Sequence, residues 1–387
     1  MLLKAQVQIL ARQEALELLG VASTEPFSRE AEVALKRLDQ GLMDGLPWFH
    51  EERVRRGADP QRLLSGAKSI LSFAVSYYVA TSSPGQDGQP LGRVARYAWG
   101  MDYHQVLKGR LKVLIEKLSA CLGRVIRYKV YVDDGPMLDR AVAYRAGVGW
   151  YGKNTNILTR RLGSWVFLAQ VLTDLELEPD TPLRKSCGRC RACIPACPTG
   201  AIVAPYVVDN RRCISYHTIE NRGVIPREIR PLMGDWVFGC DLCQEICPVN
   251  RRVAHTKEPA FQPREGFTTL GLFDILALTE EDFQGRFRGS PIRRATRVGL
   301  QRNACIALGN ISDTAAVPAL ARALREGAAL VRGHAAWALG LIGGAAAQAA
   351  LEEALQKEHD PWVQEEATLA LASASEMVQL GPALARK

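Results

Sequence analysis

The chain has no apolar run of the ~18–20 residues needed to cross a bilayer, which argues against an ordinary transmembrane protein. Its opening stretch, MLLKAQVQILARQEALELLG, lacks the uncharged core and small-residue cleavage site of an export signal, because Lys4, Arg12, Glu14 and Glu17 interrupt it. It reads as an amphipathic first helix, and a cytoplasmic protein with no membrane partner is expected. No G-x-G-x-x-G follows a predicted strand, so a dinucleotide cofactor has little support. What is present is the balance of a folded protein: 47% hydrophobic and 23% charged residues exclude a largely disordered chain. A length of 387 residues leaves room for two or three domains. The formal charge of +8 suits either simple solubility or a polyanionic partner, and its distribution decides between them.

Ten cysteines are present, eight of them between Cys187 and Cys247. A secreted disulfide protein would be shorter and would carry an export signal, so this clustering points to metal. The run Cys187-x2-Cys190-x2-Cys193-x3-Cys197-Pro198 has the spacing of bacterial ferredoxins. There the first three thiolates hold one iron–sulfur cluster and the fourth reaches another. The second run, Cys240-x2-Cys243-x3-Cys247-Pro248, lacks a leading cysteine, and Cys213 is the candidate that supplies it. The expected ligand sets are Cys187, Cys190, Cys193 and Cys247 for one 4Fe-4S cluster, and Cys197, Cys213, Cys240 and Cys243 for a second. Zinc wants paired C-x2-C ligands and four in a tetrahedron, which leaves the third cysteine and the x3-Pro pattern unexplained. Each oxidised cluster with its four thiolates contributes about −2, so two reduce the net charge to about +4. Cys121 and Cys305 lie outside and read as small buried hydrophobes.

The rest of the chain changes character twice. SILSFAVSYYV (69–79), VIRYKVYVD (125–133) and WVFLAQVLTDL (165–175) read as strands, and 103–123 reads as a helix with Leu107, Leu111, Leu114 and Leu118 on one face. SSPGQDGQPLG (82–92) reads as a loop. In the tail, ALG recurs at 307–309 and 338–340, a period of 31, and a weaker copy follows at 362–372. Ala and Leu at helical spacing, broken by glycine pairs, predict a short α-solenoid of HEAT-like repeats. The fold class expected is multidomain α+β, with four segments. They are an N-terminal α/β domain (1–178), a ferredoxin-like two-cluster module (179–257), a Pro-rich linker (258–288) and the repeat tail (289–387). The tail opens with RFRGSPIRRATRVGLQR (286–302), six arginines and no acid. Arginine binds phosphate in bidentate fashion and stacks on bases, so RNA is the partner this charge favours.

Asp102-Tyr103-His104 begins like the D-x-H-x-x-G motif of base-off cobalamin binders, but Leu107 stands where the glycine belongs, so no histidine ligand to cobalt follows from spacing. Several segments together resemble one family. They are RYAWGMDYHQVL (96–107), VDDGPMLDRAVAYRAGVGWYGKNTNIL (132–158), CGRCRACIPACPTGAI, RCISY (212–216), GCDLCQEICP (239–248) and SPIRRATRVGLQRNACIALGN (290–310). In them the chain is similar to the epoxyqueuosine reductases. That resemblance implies a cytoplasmic, cobalamin-dependent iron–sulfur reductase. It would remove the epoxide oxygen of epoxyqueuosine at the tRNA wobble position, the last step in making queuosine. It implies base-off cobalamin in the N-terminal domain without a histidine on the metal. It further implies a low-potential electron donor such as a flavodoxin or ferredoxin and a HEAT-like tail that contacts the anticodon region of tRNA; a monomer is enough for this architecture and is the state expected.

The resemblance also assigns roles. The family's proton donor lies in V-D-S/T-G, which falls on Asp133, with Asp134 departing from the pattern in the Ser/Thr slot. Tyr144 departs too, standing where relatives commonly carry glutamate. In this chemistry Co(I) cobalamin is the nucleophile toward the epoxide, and a carboxylic acid protonates the leaving alkoxide. Asp102 and His104 match the active-site D-Y-H segment, although Asp102 also reads as a helix N-cap. Arg53, Arg96, Tyr97, Asp133, Lys153, Asn154, Ser215 and Asp241 are the expected cobalamin contacts, and Arg293, Arg294, Arg297 and Arg302 the expected tRNA contacts. Among alternatives, a reductive dehalogenase would bring an export signal and no repeat tail. An electron-transfer scaffold would bind no cobalamin, and a flavoprotein would purify with flavin.

Overall fold

The computed structural model describes residues 2–80 and 88–379, so the loop expected over 82–92 lies largely outside the described residues. Two compact units interleave along the chain. The first comprises Met1–Ala80, Trp99–Arg211 and Asp241–Pro263, and the second Thr81–Ala98, Arg212–Cys240 and Arg264–Lys387. No helix among the described residues is long and apolar enough to cross a membrane.

The first unit is built on a four-stranded sheet. Its central strand Ser69–Ser76 is buried along its whole length, as an apolar run must be when both faces are covered. It pairs antiparallel with Leu18–Ala22 on one side and with Val166–Thr173 on the other, and the latter pairs antiparallel with Tyr128–Tyr131. All three strands read from the sequence are thus present, and their pairing makes this unit α+β. Side chains alternate across a strand, so Ile70, Ala74 and Leu172 share one face. There they join Met137, Ala141 and Val142 of the helix Asp139–Arg145 and the turn before it in one apolar cluster. The register places Phe167 opposite Val75, on the other face. That face meets the long helix Tyr103–Leu122, whose Leu107, Leu111, Leu114 and Leu118 are buried as their spacing requires. The helix ends in a left-handed Gly123 with φ +63°. Cys121 lies in its last turn, past the apolar seam, and is exposed rather than buried. Cys305 is buried as expected.

In the second unit, strand Leu91–Val94 lies between Trp236–Phe238, parallel, and Thr269–Gly271, antiparallel. The stretch read as a linker therefore contributes a strand, and it continues into the helices Leu272–Ala277 and Glu280–Arg286. The tail stacks Arg297–Ile311, Val317–Glu326, Ala329–Ile342, Ala345–Lys357 and Pro361–Gln379. The recurring glycine of the ALG motif explains the stacking. A Cβ on Gly309 would come within 3.0 Å of the Ala338 backbone, and one on Gly340 within 2.8 Å of the Ala370 backbone. Each repeat thus presses on the next at a position that has no room for a side chain.

One buried ion pair ties this unit together. The Arg230 guanidinium donates to both carboxylate oxygens of Glu366, at 2.9 and 2.8 Å, and Arg227 donates to the same carboxylate. Arg230 is 0% and Glu366 4% exposed. Removing one partner of such a pair strands the other charge away from water, at a cost of about 3–5 kcal/mol. Glu366→Ala is expected to lower the urea midpoint by a corresponding amount, and a shift equivalent to less than about 1 kcal/mol, the value of an exposed pair, would show that the pair contributes no more than a surface one.

Candidate active site and cluster-binding segment

The strand Tyr128–Tyr131 runs into Val132, Asp133, Asp134 and Gly135, and this acid loop is held from several sides. Asp133 has φ +51° and Gly135 φ +73°. The left-handed region is uncommon for residues with a side chain, though aspartate tolerates it better than most, and such conformations cluster at functional sites. The Tyr103 hydroxyl donates to the Asp133 carboxylate at 2.7 Å. Tyr103 is itself wedged between rings, stacked 4.1 Å from His104 and 4.2 Å from Phe167. Asp134 turns away from this role: its carboxylate accepts from the Val132 N–H at 2.8 Å and pairs with Lys108. Arg53 donates to the Gly135 carbonyl, with its guanidinium 4.9 Å from the Trp48 ring centre. Pro136 closes the loop against Gly57, where an added Cβ would lie 1.7 Å from the Pro136 oxygen. Of the two acids, Asp133 is the exposed one and Asp134 the structural one.

Asp102 caps the long helix, accepting from the His104 N–H at 3.0 Å, and the same oxygen meets His104 Nδ1 at 2.7 Å. Burial alone would raise the Asp102 carboxyl, but the hydrogen bonds and charge of His104, with Lys108 nearby, hold it below its ordinary value. Capping and pairing are therefore one interaction. The fold brings the expected residues Asp102, His104 and Asp133 together around Tyr103, which lies inside the same D-Y-H motif but is not among the residues expected from the sequence.

The cysteines of the first expected set all belong to the first unit. Burial pushes the Cys193 thiol up, and Cys187, Cys247 and Cys190 push it further. Burial does the same to Cys247, with Cys187 and Cys190 adding to it. Four thiols close enough to oppose one another's ionisation suit a cation that takes them all as thiolates, which is the donor chemistry of a 4Fe-4S cluster. The second expected set divides. Cys197 and Cys243 lie in the first unit, Cys213 and Cys240 in the second. Cys197 Sγ accepts from the Ala201 N–H at 3.3 Å. In the second unit, Cys213 opens the helix Ile214–Ile219, and that helix's Thr218 hydroxyl accepts from the Gly239 N–H at 2.9 Å, next to Cys240.

Several expected cobalamin contacts are committed elsewhere. Lys153 Nζ donates to the carbonyls of Gly188 and Cys190, each at 2.8 Å, and the Asn154 amide donates to the Cys243 carbonyl at 3.3 Å. A side chain that touches a large cofactor is exposed when that cofactor is removed. Lys153 at 9%, Asn154 at 6% and Asp241 at 2% exposure do not meet that condition. Lys153 and Asn154 instead fasten the cysteine loops. Arg53 braces the acid loop. In the second unit Arg96, Tyr97 and Ser215 are partly exposed, and in the first Asp133 is exposed. Tyr97 packs 5.9 Å from Phe238, and Gly239, with φ +68°, lets the Cys240 turn approach Ala95.

The arginines of the tail are less bare than the local sequence implies. Arg293, Arg294 and Arg297 line a shallow depression of about 400 Å³ with Glu280, Gln284 and Thr296. Arg294 pairs with Glu220 at 2.6 Å and Arg297 with Glu280 at 3.2 Å, counter-charges brought in by the fold. Arg302 leaves the expected RNA-binding set. It is 0% exposed, and its five N–H groups donate to the carbonyls of Asn221, Gly223 and His217 and to Asn303 Oδ1. Asn303 in turn donates to the Thr218 and Val237 carbonyls, at 2.9 and 2.8 Å. The start of the tail thus pins the two segments that carry Cys213 and Cys240.

A cysteine-rich cluster segment, an exposed acid beside a tyrosine and an Asp–His pair, and a helical-repeat tail define an iron–sulfur reductase with a solenoid appendage. Family models match in the same order: "Epoxyqueuosine reductase QueG, DUF1730" over 57–134, "4Fe-4S double cluster binding domain" over 186–250 and "HEAT repeats" over 292–372. A curated epoxyqueuosine reductase of Xanthomonas campestris is 40% identical over 339 residues, covering 87% of this chain and 95% of its own. The chain belongs to the epoxyqueuosine reductase family. A solved epoxyqueuosine reductase with a tRNA-Tyr epoxyqueuosine-modified stem loop is 33% identical, has a TM-score of 0.91, and matches over 96% of this chain and 99% of its own. A Bacillus subtilis structure, 33% identical with a TM-score of 0.90 over 96% of this chain and 98% of its own, is described with its aspartate catalytic loop swung out of the active site.

The Asp102 interaction makes a prediction about stability. Its folded carboxyl titrates below the unfolded value of about 3.9. Its contribution is therefore full above that pH and is lost as pH falls through the folded value. Asp102→Ala is expected to cost about 1 kcal/mol at pH 7, with the difference from wild type shrinking below about pH 4. Thermal unfolding across this range measures it, and a pH-independent difference would remove the charge from the account.

Proposed function

We propose that this protein reduces the epoxide of epoxyqueuosine at the wobble position of tRNA, giving queuosine. The observation that carries the reading is the Tyr103–Asp133 hydrogen bond on an exposed acid loop, in a unit that also holds all four cysteines of the first expected set. The overall change breaks both epoxide C–O bonds, forms a carbon–carbon double bond and releases the oxygen as water. It consumes two electrons and two protons. The electrons come from a low-potential donor such as a flavodoxin or ferredoxin, through two 4Fe-4S clusters held by the two cysteine sets. Cobalamin, when bound, supplies a low-valent cobalt nucleophile for the epoxide carbon. Arg96, Tyr97, Ser215 and Asp133 are its proposed contacts.

The chain's own residues handle protons and position. Asp133 gives its proton to the epoxide oxygen as the carbon–oxygen bond breaks. The Tyr103 hydroxyl aims that carboxyl, and the ring stack on Phe167 fixes Tyr103. Asp102 orients His104 as a polar neighbour to the same tyrosine. Residues 1–178 form the catalytic part in this reading, 179–257 the electron-transfer part and 289–387 the tRNA-binding part. The protein acts as a cytoplasmic monomer on the anticodon region. Arg293, Arg294 and Arg297 meet backbone phosphates there, exchanging Glu220 and Glu280 for them.

The deciding experiment uses anaerobically reconstituted full-length protein with cobalamin, a low-potential reductant and tRNA bearing epoxyqueuosine. Mass spectrometry of the digested tRNA follows the modified nucleoside. Wild type is expected to remove one oxygen. Asp133→Asn is expected to be at least ~100-fold slower, the usual range for a missing general acid, while Asp134→Asn keeps most activity. Protein with both clusters and cobalamin bound that leaves the nucleoside intact would end the substrate assignment.

A separate test addresses the tail. Arg294→Ala with Arg297→Ala is expected to weaken tRNA binding and to flatten the dependence of log K on log salt by about one unit for each phosphate the double variant no longer neutralises. An unchanged slope would remove both residues from the interface.

A further inference from the structure

Six basic side chains flank the first cysteine set, and neither the reaction nor the tail's phosphate contacts use them. Arg184 and Lys185 precede Cys187 in the chain, Arg189 and Arg191 stand before and after Cys190, and Arg251 and Arg252 follow Cys247. All six are exposed and belong to the first unit. Arg294 and Arg297 of the tail each have a glutamate partner. None of these six meets a carboxylate among the described residues, and Lys185 stands 5.3 Å from the Trp150 ring centre. Between 184 and 193 the chain has no acid, and between 244 and 252 it has only Glu245.

The two loops are held together from the buried side. Lys153 Nζ donates to the Gly188 and Cys190 carbonyls, while its neighbour Asn154 donates to that of Cys243. Cys193 and Cys247 each feel the charge of both Cys187 and Cys190. Asn250, 5% exposed, anchors the second loop. Its amide donates to Ser164 Oγ and to the Gln244 carbonyl, and its Oδ1 accepts from the Ser164 N–H, each at 2.8 Å. With these backbones fastened inward, the basic side chains face solvent together with two apolar ones. Ile246 precedes Cys247 at 42% exposure, and Val249 follows it at 36%.

A solvated face ordinarily mixes both signs of charge, and a one-sign face repels itself. A 4Fe-4S cluster with its thiolates carries about −2, which six cations more than offset. Apolar side chains inside a charged rim are the anatomy of a protein interface, and the excess charge would steer an oppositely charged partner toward it. RNA fits less well. Neither loop offers an aromatic ring for a base to stack on, and Ile246 and Val249 gain nothing from phosphate. Electron transfer falls steeply with distance, so a protein that reduces the first cluster must seat against the loops that hold it.

We propose that this surface docks a small acidic electron-carrier protein, whose carboxylates meet Arg184, Lys185, Arg189, Arg191, Arg251 and Arg252 and whose apolar cofactor edge rests on Ile246 and Val249. The inference rests on the electron-transfer role given above to the first cysteine set, and it names the face at which electrons enter. Each encounter moves one electron: the carrier is oxidised by one and the cluster core goes from 2+ to 1+. Two encounters supply the pair that the epoxide reduction consumes.

The test uses full-length protein with its clusters reconstituted and an acidic flavodoxin as probe. Calorimetric titration with oxidised flavodoxin reads binding. Stopped-flow bleaching of the cluster absorbance by reduced flavodoxin reads electron entry, and reduced methyl viologen, a small cation that needs no docking face, serves as control. Arg251→Glu with Arg252→Glu is expected to weaken binding and to slow bleaching by flavodoxin at least about tenfold at low ionic strength. The gap narrows as salt rises, and bleaching by methyl viologen is not slowed. Ile246→Ser is expected to weaken binding severalfold with the salt dependence unaltered. Flavodoxin that binds and bleaches wild type and the charge-reversed variant equally, or does neither with wild type, overturns the proposal. Slowing that methyl viologen shares, with flavodoxin binding intact, assigns the arginines to the cluster itself and overturns it too. So does a charge reversal that weakens tRNA binding and leaves flavodoxin binding unchanged, which makes the face an RNA contact. Neither readout involves the nucleoside, so protein that leaves epoxyqueuosine intact refutes the substrate reading while the docking face is still decided.

Discussion

The antiparallel pairing of Ser69–Ser76 with Val166–Thr173 sets the geometry on which the first unit depends. Its register puts Phe167 on one face and Gln170 on the other. On the first face Phe167 supports the ring of Tyr103, and through it the carboxylate of Asp133. On the second, Gln170 reaches the start of the helix that follows the acid loop. Slipping the register by one residue would exchange the two faces, taking the aromatic support and the buried amide away together. The sheet therefore works as a two-sided template, supporting the acid loop through Tyr103 on one face and the helix that follows it through Gln170 on the other.

The cysteine loops are fastened by a different kind of contact. Lys153 and Asn154 hold backbone carbonyls of Gly188, Cys190 and Cys243. In the second unit Arg302 and Asn303 hold those of His217, Thr218 and Val237. Both pairs use long polar side chains to satisfy carbonyls of irregular chain, which has no ladder or helix partner to do so. This suits a segment whose own side chains are reserved for metal. It also explains why Lys153, Asn154 and Arg302, which look like ligand contacts in the sequence, are buried in the fold.

The tail shows the same division of labour. Its glycine repeat governs how the helices stack. Its arginines split into one saturated anchor, Arg302, and a group at the surface whose charge is partly met by Glu220 and Glu280. Within the local run the arginines have no counter-ion, because both glutamates lie outside it and arrive only through folding.

Much of the protein is determined by local pattern. The cysteine spacing, the three apolar strands, the long amphipathic helix and the 31-residue repeat follow from periods and ligand geometry that the chain carries within short windows. Asp102, His104 and Asp133 were singled out by short motifs of a resembling family, and the fold brings them together around Tyr103. What tertiary structure alone decided is which polar side chains are free. Whether an arginine meets phosphate or a carbonyl, whether Lys153 meets a cofactor or a cysteine loop, and whether Asp133 or Asp134 faces outward all depend on residues far away in sequence. So does the burial of Ser72 and Gln170, which come together because two strands distant in the chain pair in register. Burial and hydrogen-bond partnership are properties of the packed chain, and no short window of sequence contains both partners.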